Sequence, residues 1–574
     1  MVSQRARIPR LQPELLDCLL HCSDDWQKVL ELSPNFSEMA SMQNTLLSEA
    51  ARFADGVLSP LNHTMDVVGA KLVNGRVVTV DGHKEAWKQF VEAGWTLLGK
   101  PELYGGQEAP LALWAAIQGI FDRSSPAFGM LPVPQISAVK LISHWGDEKT
   151  RKDWLPNLVS GIWGATICIS EPDAGSDVRR MRTKAEKQLN GSWRITGEKC
   201  WISYGDHDLA EKIGHCLLAY SYDEKGVPGI SLFLVPNRLE VNQDGQASGN
   251  GVAIQRVEEK MGLHGSPTCV ISFEKSEAIL LGKTGQGLSQ MFVMIANMRL
   301  SVGVMGTAIA SAAYDTALNY SFERKQGGPA DKPPVAIYQH VDVKRMLMEM
   351  AANTNLMRGL IFSIANHTDI SLSSSDEAQR EQSHLFTQFL LPVVKTLGAD
   401  IGFQVASTAI QVLGGAGYTG EWPVEQALRD SRVLSIFEGT SGIQALDLLK
   451  RRLKGRDQGK GLKVFLDKAY ELTGALPSNL ANNYQSGLDL LKITAQKLSL
   501  LDNEDGEAGA DAFLRLTGRA ALGWIAARLI AAGDIPAQLR SQSEFYLHEM
   551  AIKCRALSDL ALLGRARLGQ TEAQ

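Results

Sequence analysis

No charge of either sign dominates this sequence: 58 Lys and Arg face 63 Asp and Glu over 574 residues, a formal net charge of −5, with no long run of one sign. Binding to nucleic acid through its phosphates normally needs a basic face, so that class is disfavoured. Long hydrophobic runs are missing as well. No uncharged apolar stretch approaches the roughly 18 residues of a membrane span. The N-terminal MVSQRARIPRLQPELLDCLLHC carries arginines and no acid before Glu14, but its apolar run is short, broken and followed by acids, which argues against a targeting segment. Cysteine is sparse. Cys18, Cys22, Cys168, Cys200, Cys216, Cys269 and Cys554 include no CxxC pair and have no companion histidine ligands. Reduced, buried thiols in a cytoplasmic protein follow, with Cys18 and Cys22 one helical turn apart on one apolar face.

What remains is an ordinary globular composition, 44% hydrophobic and 21% charged, long enough for three or four domains at about 150 residues each. Residues 1–155 read as helical, with apolar residues at Leu46, Leu47, Ala50 and Phe53 in a 3.6-residue period. The character changes near Ile162. From there to Leu281 short β-rich runs (WGATICIS, SWRITG, KCWISY, HCLLAYSY, GISLFLVP, VAIQRVE, TCVISF) alternate with turns at Asn190-Gly191, Gly226 and Asp244-Gly245, the pattern of a sandwich or barrel. Helical periodicity returns from Gly287 to Leu449. The joint RRLKGRDQGKG (451–461) follows, and 462–567 is helical again with mixed charges.

Four motifs carry candidate chemistry. In ICISEPDAGSD (167–177) a strand ends at Ser170 and Ala174-Gly175-Ser176 turns tightly, leaving N–H groups and a hydroxyl for a ligand; an ordinary strand-end loop has the same look. In KCWIS (199–203) Trp201 and Ser203 suit a flat ring with a polar edge, or Trp201 is simply barrel core. QVLGGAGY (411–418) is either a close-approach loop for a phosphate-bearing ligand or a Gly-rich helix end. In IFEGT (436–440) the Glu438 carboxylate follows an apolar approach. Such surroundings raise a carboxyl pKa and make a general base, whereas a solvated loop Glu would do nothing. Asp206 and His207 lie in a polar loop and read as solvated.

Together, in this order on a helical–β–helical frame, these motifs resemble the acyl-CoA dehydrogenase superfamily over about residues 40–450. KMGLHGSPT (260–268), Arg299 in ANMRLSVGVMG and FERK (322–325) fit the same pattern. PLNHTMD, PELYGG, ISYGDHD and GISLFLVPN are similar to a larger, 3-methylmercaptopropionyl-CoA dehydrogenase-like branch with an extra C-terminal helical domain. The resemblance implies an α+β fold: an N-terminal helical domain (1–160), a middle β-barrel (161–285), a four-helix bundle (286–455) and an additional helical domain (456–574). It implies FAD as cofactor and an acyl-CoA as substrate. Glu438 would abstract the α-proton while hydride passes from the β-carbon to FAD, giving the trans-2-enoyl-CoA. Ile167, Ile169, Ser170, Gly175, Ser176, Trp201 and Ser203 match flavin-contacting positions, and Thr440 an adenine-side contact. Arg324, Gln411, Gly414 and Gly415 match residues that reach a neighbouring subunit's FAD, so a homodimer or homotetramer is implied. Ser176, Arg299 and Gly439 fall on the substrate side. The electron acceptor implied is an electron-transfer flavoprotein. Departures from the family pattern are Gly442 where many relatives carry Gln, Ile167 for a common aromatic, and the insert QGGPADKPP after FERK.

Two rival readings stand beside this one. An acyl-CoA oxidase would pass its electrons to O₂. A non-catalytic flavin-fold protein would bind nucleic acid through its C-terminal helices, but those helices lack a basic stripe.

Overall fold

The computed structural model describes residues 5–223, 225–241 and 247–569, and the turn expected at Asp244-Gly245 lies outside them. The chain falls into two compact units. One comprises Arg52–Ala109 and Ser124–Met298; the other comprises Met1–Ala51, Pro110–Arg123 and Arg299–Gln574.

The first unit is built on seven strands: β1 (Trp163–Cys168), β2 (Lys184–Lys187), β3 (Trp193–Ser203), β4 (Lys212–Tyr222), β5 (Pro228–Pro236), β6 (Val252–Val257) and β7 (Thr268–Leu281). β7 pairs with both β3 and β5, β5 with β4, β4 with β2, and β2 with β3, so five strands close a ring. β1 adds to β4 in parallel and β6 to β7 in antiparallel register. Alternation selects the inside: Trp193, Ile195, Ile202, Leu217, Phe233, Ile271 and Phe273 fill the core, and each fully buried side chain of this size contributes about 2 kcal/mol of apolar burial. Helices Ser59–Val68, His83–Glu92, Pro132–Trp145 and Glu148–Ser160 belong to the same unit. Within the stretch expected to be helical, a short hairpin forms instead, pairing Lys71–Val73 with Arg76–Val78 around Asn74-Gly75. Its anchor corrects another expectation. Asp206 and His207 are buried rather than solvated, and the Asp206 carboxylate accepts from Arg76 at 2.8 and 2.9 Å and from the Val77 N–H at 2.8 Å.

The second unit is helical. Its long elements are α1 (Gly287–Glu323, entering the unit at Arg299), α2 (Val341–Ser373) and α3 (Glu377–Leu413), followed by the shorter α4 (Val424–Arg432) and α5 (Ser441–Leu446). Beyond the joint come α6 (Lys460–Glu471), α7 (Ser478–Leu500), α8 (Asn503–Ala532) and α9 (Ala537–Leu562). α1 and α3 meet backbone to backbone. A Cβ on Gly306 would come within 2.1 Å of the Gly398 carbonyl oxygen, and one on Gly398 within 2.6 Å of the Gly303 Cα. Only glycine permits that crossing. α8 packs against a side chain of α3, since a Cβ at Gly518 would meet Leu397 Cδ1 at 2.0 Å. Among the described residues two helical stretches, Gly287–Glu323 and Glu377–Tyr418, are long and apolar enough to cross a membrane, but 78% of the apolar window of each is buried inside the protein. That burial is what core helices show.

All seven cysteines are free; five are buried, whereas Cys18 and Cys22 are half-exposed rather than buried as expected.

Candidate active site

In the β unit, the sequence-predicted residues lie on two adjoining strand ends. On β3, Ile202 fills the barrel core, while Trp201, at φ +63° where the register with β7 shifts, is 62% exposed and Ser203 is half-buried. Trp201 is therefore not barrel core. Ile167, Ile169 and Ser170 are half-buried and alternate with buried Thr166 and Cys168. The two segments are joined where the Cys200 N–H donates to the Ser170 carbonyl at 3.0 Å. The loop that follows is set by Glu171, which exchanges two backbone hydrogen bonds with Ala174 at 3.0 Å each. The Glu171 carboxylate accepts from the N–H groups of Arg182 and Thr183 and from the Lys199 ammonium at 2.7 Å. Lys199, fully buried, also donates to the Ile169 carbonyl at 3.1 Å. One buried ion pair thus holds the strand end, the turn and β3 together. Gly175 and Ser176 are exposed at the tip, and a Cβ on Gly175 would meet nothing within 4 Å. A flat exposed ring, a neighbouring hydroxyl and an open Gly-Ser turn offer stacking, hydrogen bonding and backbone approach on one rim. That chemistry fits a large planar cofactor with polar edges.

In the helical unit, α4 runs into a single 3₁₀ turn (Val433–Ser435), and the chain then enters left-handed conformation at Glu438 (φ +54°) and Gly439 (φ +89°). Thr440 accepts from the Ile443 N–H at 3.3 Å and so caps α5. From α5, buried Gln444 reaches back and donates to the Glu438 carbonyl at 3.0 Å. A Cβ at Gly439 would stand 2.7 Å from that amide nitrogen. A non-glycine residue at positive φ is strained and persists only where its surroundings impose it. Glu438 is only partly exposed at its surface, and burial pushes its carboxyl up to about 7 against the pull of Lys395 and Arg299. A carboxyl poised there is a competent general base at neutral pH.

Arg299 is buried and donates to Asp447 at 2.7 Å. Its ion pair joins α1 to the segment after α5. The remaining predicted residues lie elsewhere in this unit. Gln411 follows Lys395 by 16 residues along α3, about 24 Å at 1.5 Å per residue. Arg324, just past the end of α1, is 25 residues beyond Arg299, about 37 Å at the helical rise. Gln411, Gly414 and Gly415 are exposed, with Gly414 at φ +63° ending α3 and nothing within 4 Å of a Cβ at either glycine. A Tyr320–Trp422 edge contact of 5.1 Å places the far end of α1 beside this segment. So Arg299, Glu438, Gly439 and Thr440 lie toward one end of the helical unit, and Arg324, Gln411, Gly414 and Gly415 toward the other. Lys395, Gln444 and Asp447 lie in no motif, and Glu171 and Lys199, although inside two of them, carry no role that the motifs announce.

Residues 41–162 match the N-terminal domain of acyl-CoA dehydrogenases, 166–276 the middle domain and 285–453 the C-terminal domain. The chain is 37% identical over 495 residues to 3-methylmercaptopropionyl-CoA dehydrogenase of Ruegeria pomeroyi, covering 83% of each protein. It is 35% identical over 401 residues to the broad-specificity linear acyl-CoA dehydrogenase of Mycobacterium tuberculosis, 67% of this chain and 65% of that one. Among solved structures, Caenorhabditis elegans ACDH-11 has the same fold along its length, with a TM-score of 0.80 at 18% identity over 100% of this chain and 98% of that one. An acyl-CoA dehydrogenase complexed with FAD from Bacillus anthracis gives 0.71 at 20% identity over 91% and 87%. On these grounds the chain belongs to the acyl-CoA dehydrogenase family and is an FAD-dependent enzyme of it.

Proposed function

We propose that this enzyme converts a saturated acyl-CoA thioester to its trans-2-enoyl-CoA with Glu438 as the base, and the observation that carries the reading is a carboxylate of raised proton affinity fixed at the strained Glu438-Gly439 turn. The α-proton of a thioester is a weak acid, so the base must be held in place and its conjugate enolate stabilised. Glu438 takes the proton on its carboxylate, and its own backbone N–H would donate to the thioester oxygen. Gly439 leaves room beside that oxygen. An acyl chain that excludes water from Glu438 keeps its proton affinity near working pH. FAD, when bound, supplies the acceptor for hydride leaving the substrate β-carbon. Ile167, Ile169, Ser170, Gly175, Ser176, Trp201 and Ser203 would hold its ring system, with Ser176 also facing substrate. Thr440 would meet the adenine side. Arg299, fixed by Asp447, lends positive potential to the CoA side of the pocket.

The separation of Arg324, Gln411, Gly414 and Gly415 from Glu438 supports their serving the FAD of a second copy, hence a homodimer or homotetramer. An electron-transfer flavoprotein is the proposed acceptor and the cytoplasm the proposed compartment. The proposed domain division stays 1–160, 161–285, 286–455 and 456–574.

Anaerobic flavin bleaching by saturated acyl-CoAs of graded length, with the methylmercapto thioester among them, tests the reading. Glu438→Gln should retain FAD and acyl-CoA but bleach at least a thousandfold more slowly. A variant that bleaches at the parent rate moves the base elsewhere. Hydrogen peroxide released stoichiometrically under air would replace the flavoprotein acceptor with O₂.

A further inference from the structure

Two guanidinium groups lie buried in the helical unit against one carboxylate. Arg123, near the end of the helix Leu111–Ser124, is 4% exposed and binds Asp315 of α1 at 2.7 Å. Arg358 of α2 is 9% exposed and forms no ion pair among the described residues. Its Nη1 donates to the Asn355 side-chain carbonyl at 3.0 Å and its Nη2 to the Ser311 hydroxyl at 2.6 Å. Both acceptors are neutral. Ser311 also accepts from Arg123 Nε at 3.2 Å, and the Asn355 amide is oriented by donating to Gln542 at 2.8 Å. Burial lowers Arg358 to about 10, with Asp315 opposing, so it stays a cation at neutral pH. One positive charge of this cluster is therefore unmatched, and burying such a charge is heavily penalised.

Arg358 also lines a cavity of about 20 Å³ within the same unit. Small residues leave that space, with Ala116 and Gly119 of the helix Leu111–Ser124 on one side and Ala308 of α1 on another. A Cβ at Gly119 would meet only Val304, at 3.5 Å. One water needs about 10–15 Å³ of such space, so the volume suits a single small ion and excludes an acyl chain or a nucleotide. Thr307, the other polar side chain at the wall, gives its proton to the Gly303 carbonyl at 2.8 Å. The donors left are those of Arg358. Of a guanidinium's five N–H groups, two make the bonds above and three remain.

We propose that this cavity binds one small monovalent anion of chloride size, with Arg358 as its counter-ion. Charge, donors and volume point the same way. A water would fill the space and leave the charge unmatched. Sulfate or phosphate would overfill it and reverse the sign. Leu11 and Leu16 of the N-terminal segment line the same cavity, so the anion would fasten that segment, the helix Leu111–Ser124, α1 and α2 at one point. The site stands apart from the chemistry of Glu438 and holds whether or not Glu438 is the base.

Crystals of the FAD-loaded enzyme grown in bromide should show an anomalous peak in hydrogen-bonding range of Arg358. In solution, chloride replacing gluconate, which is too bulky for the cavity, at constant ionic strength should raise the wild-type melting temperature by about 2 °C or more, because the ion binds the native state alone. Arg358→Met should abolish that response. Ala308→Asp brings a carboxylate to the wall one turn before Ser311 and should abolish it too, by supplying the charge from within. It decides the matter if Arg358→Met does not fold. Water in place of bromide beside Arg358, or a wild-type melt that ignores chloride, overturns the proposal. A chloride response that survives in either folded variant does the same, since it would report salt acting away from this cavity.

Discussion

The side-chain amide of Gln444 donates to the backbone carbonyl of Glu438 at 3.0 Å, across the left-handed turn that presents the base. The pair explains why a residue with a Cβ tolerates positive φ here, since the carbonyl is fixed from behind. Gln444→Ala should therefore lower the rate of flavin reduction by tenfold or more while leaving FAD content unchanged. Gly439→Ala adds a Cβ at φ +89° and 2.7 Å from the same amide, and should be more severe. Stopped-flow reduction of the two purified variants checks both; unaltered rates would mean that the turn is not needed for catalysis.

Glu438 also leaves a mark on stability. Its folded proton affinity, near pH 7, exceeds the ordinary carboxyl value of 4.5, so the native state binds more protons than the unfolded chain between those values. This favours the native state at acid pH and is lost as pH rises through about 7. Glu438→Gln should thus melt above the wild type at pH 8, by an upper bound of about 3 kcal/mol, with the gap closing toward pH 5. Thermal melts across that range would contradict this if the two proteins kept a constant offset.

Trp201 exposes most of its ring and packs little protein. Trp201→Ala should cost the purified protein much of its flavin, read as the ratio of flavin to protein absorbance. The melting temperature of the flavin-stripped protein should shift by no more than a degree or two, as for an ordinary surface site. Equal flavin content in the variant would remove Trp201 from the cofactor site.

Asp24 lies far along the chain from its partners and is buried among them. Its carboxylate meets His367 and Lys468 at 2.8 Å each and Arg528 at 2.6 Å, joining the N-terminal segment to α2, α6 and α8. Burial opposes its charge, but these three hold it well below the usual carboxylate range. That stabilisation is present above about pH 4 and is lost as pH falls further. Asp24→Asn should cost about 3–5 kcal/mol near neutrality, seen as a lowered melting temperature, and less in acid. Asp24, Asp25 and His367 are close enough to hold a metal ion, but the two cations already take the Asp24 oxygens. Zinc or a chelator should leave the melt where it is, and a rise with zinc would show otherwise.

How far the sequence could be read follows from what each signal depends on. The order helical–β–helical depends on local periodicity and was legible. The four motifs were legible because their residues are contiguous, and the structure places each at a turn or strand end. Lys395, by contrast, is a single cation in the apolar run FLLPVVKTLG. That anomaly was visible, but Arg299 and Glu438, two of the charges that act on it, are almost 100 and more than 40 residues away. Asp206 and His207 misled for a related reason. A polar loop reads as solvated until the hairpin that covers it is known, and that hairpin is only three residues a side. Trp201 needed the irregularity in the strand, since the register with β7 shifts there and its φ is +63°, which no residue pattern announces.

The packing of α8 on α3 sets a limit on how this enzyme can be trimmed. Trp524 lies 5.6 Å from Phe386 and 6.0 Å from Phe465, and Phe465 also meets Phe389 at 6.4 Å, so one aromatic knot is shared between the bundle and everything after the 451–461 joint. A shortened gene stopping at that joint would leave Phe386 and Phe389 facing water. Such a fragment would be sticky and would call for replacement of those two phenylalanines before it could be handled alone.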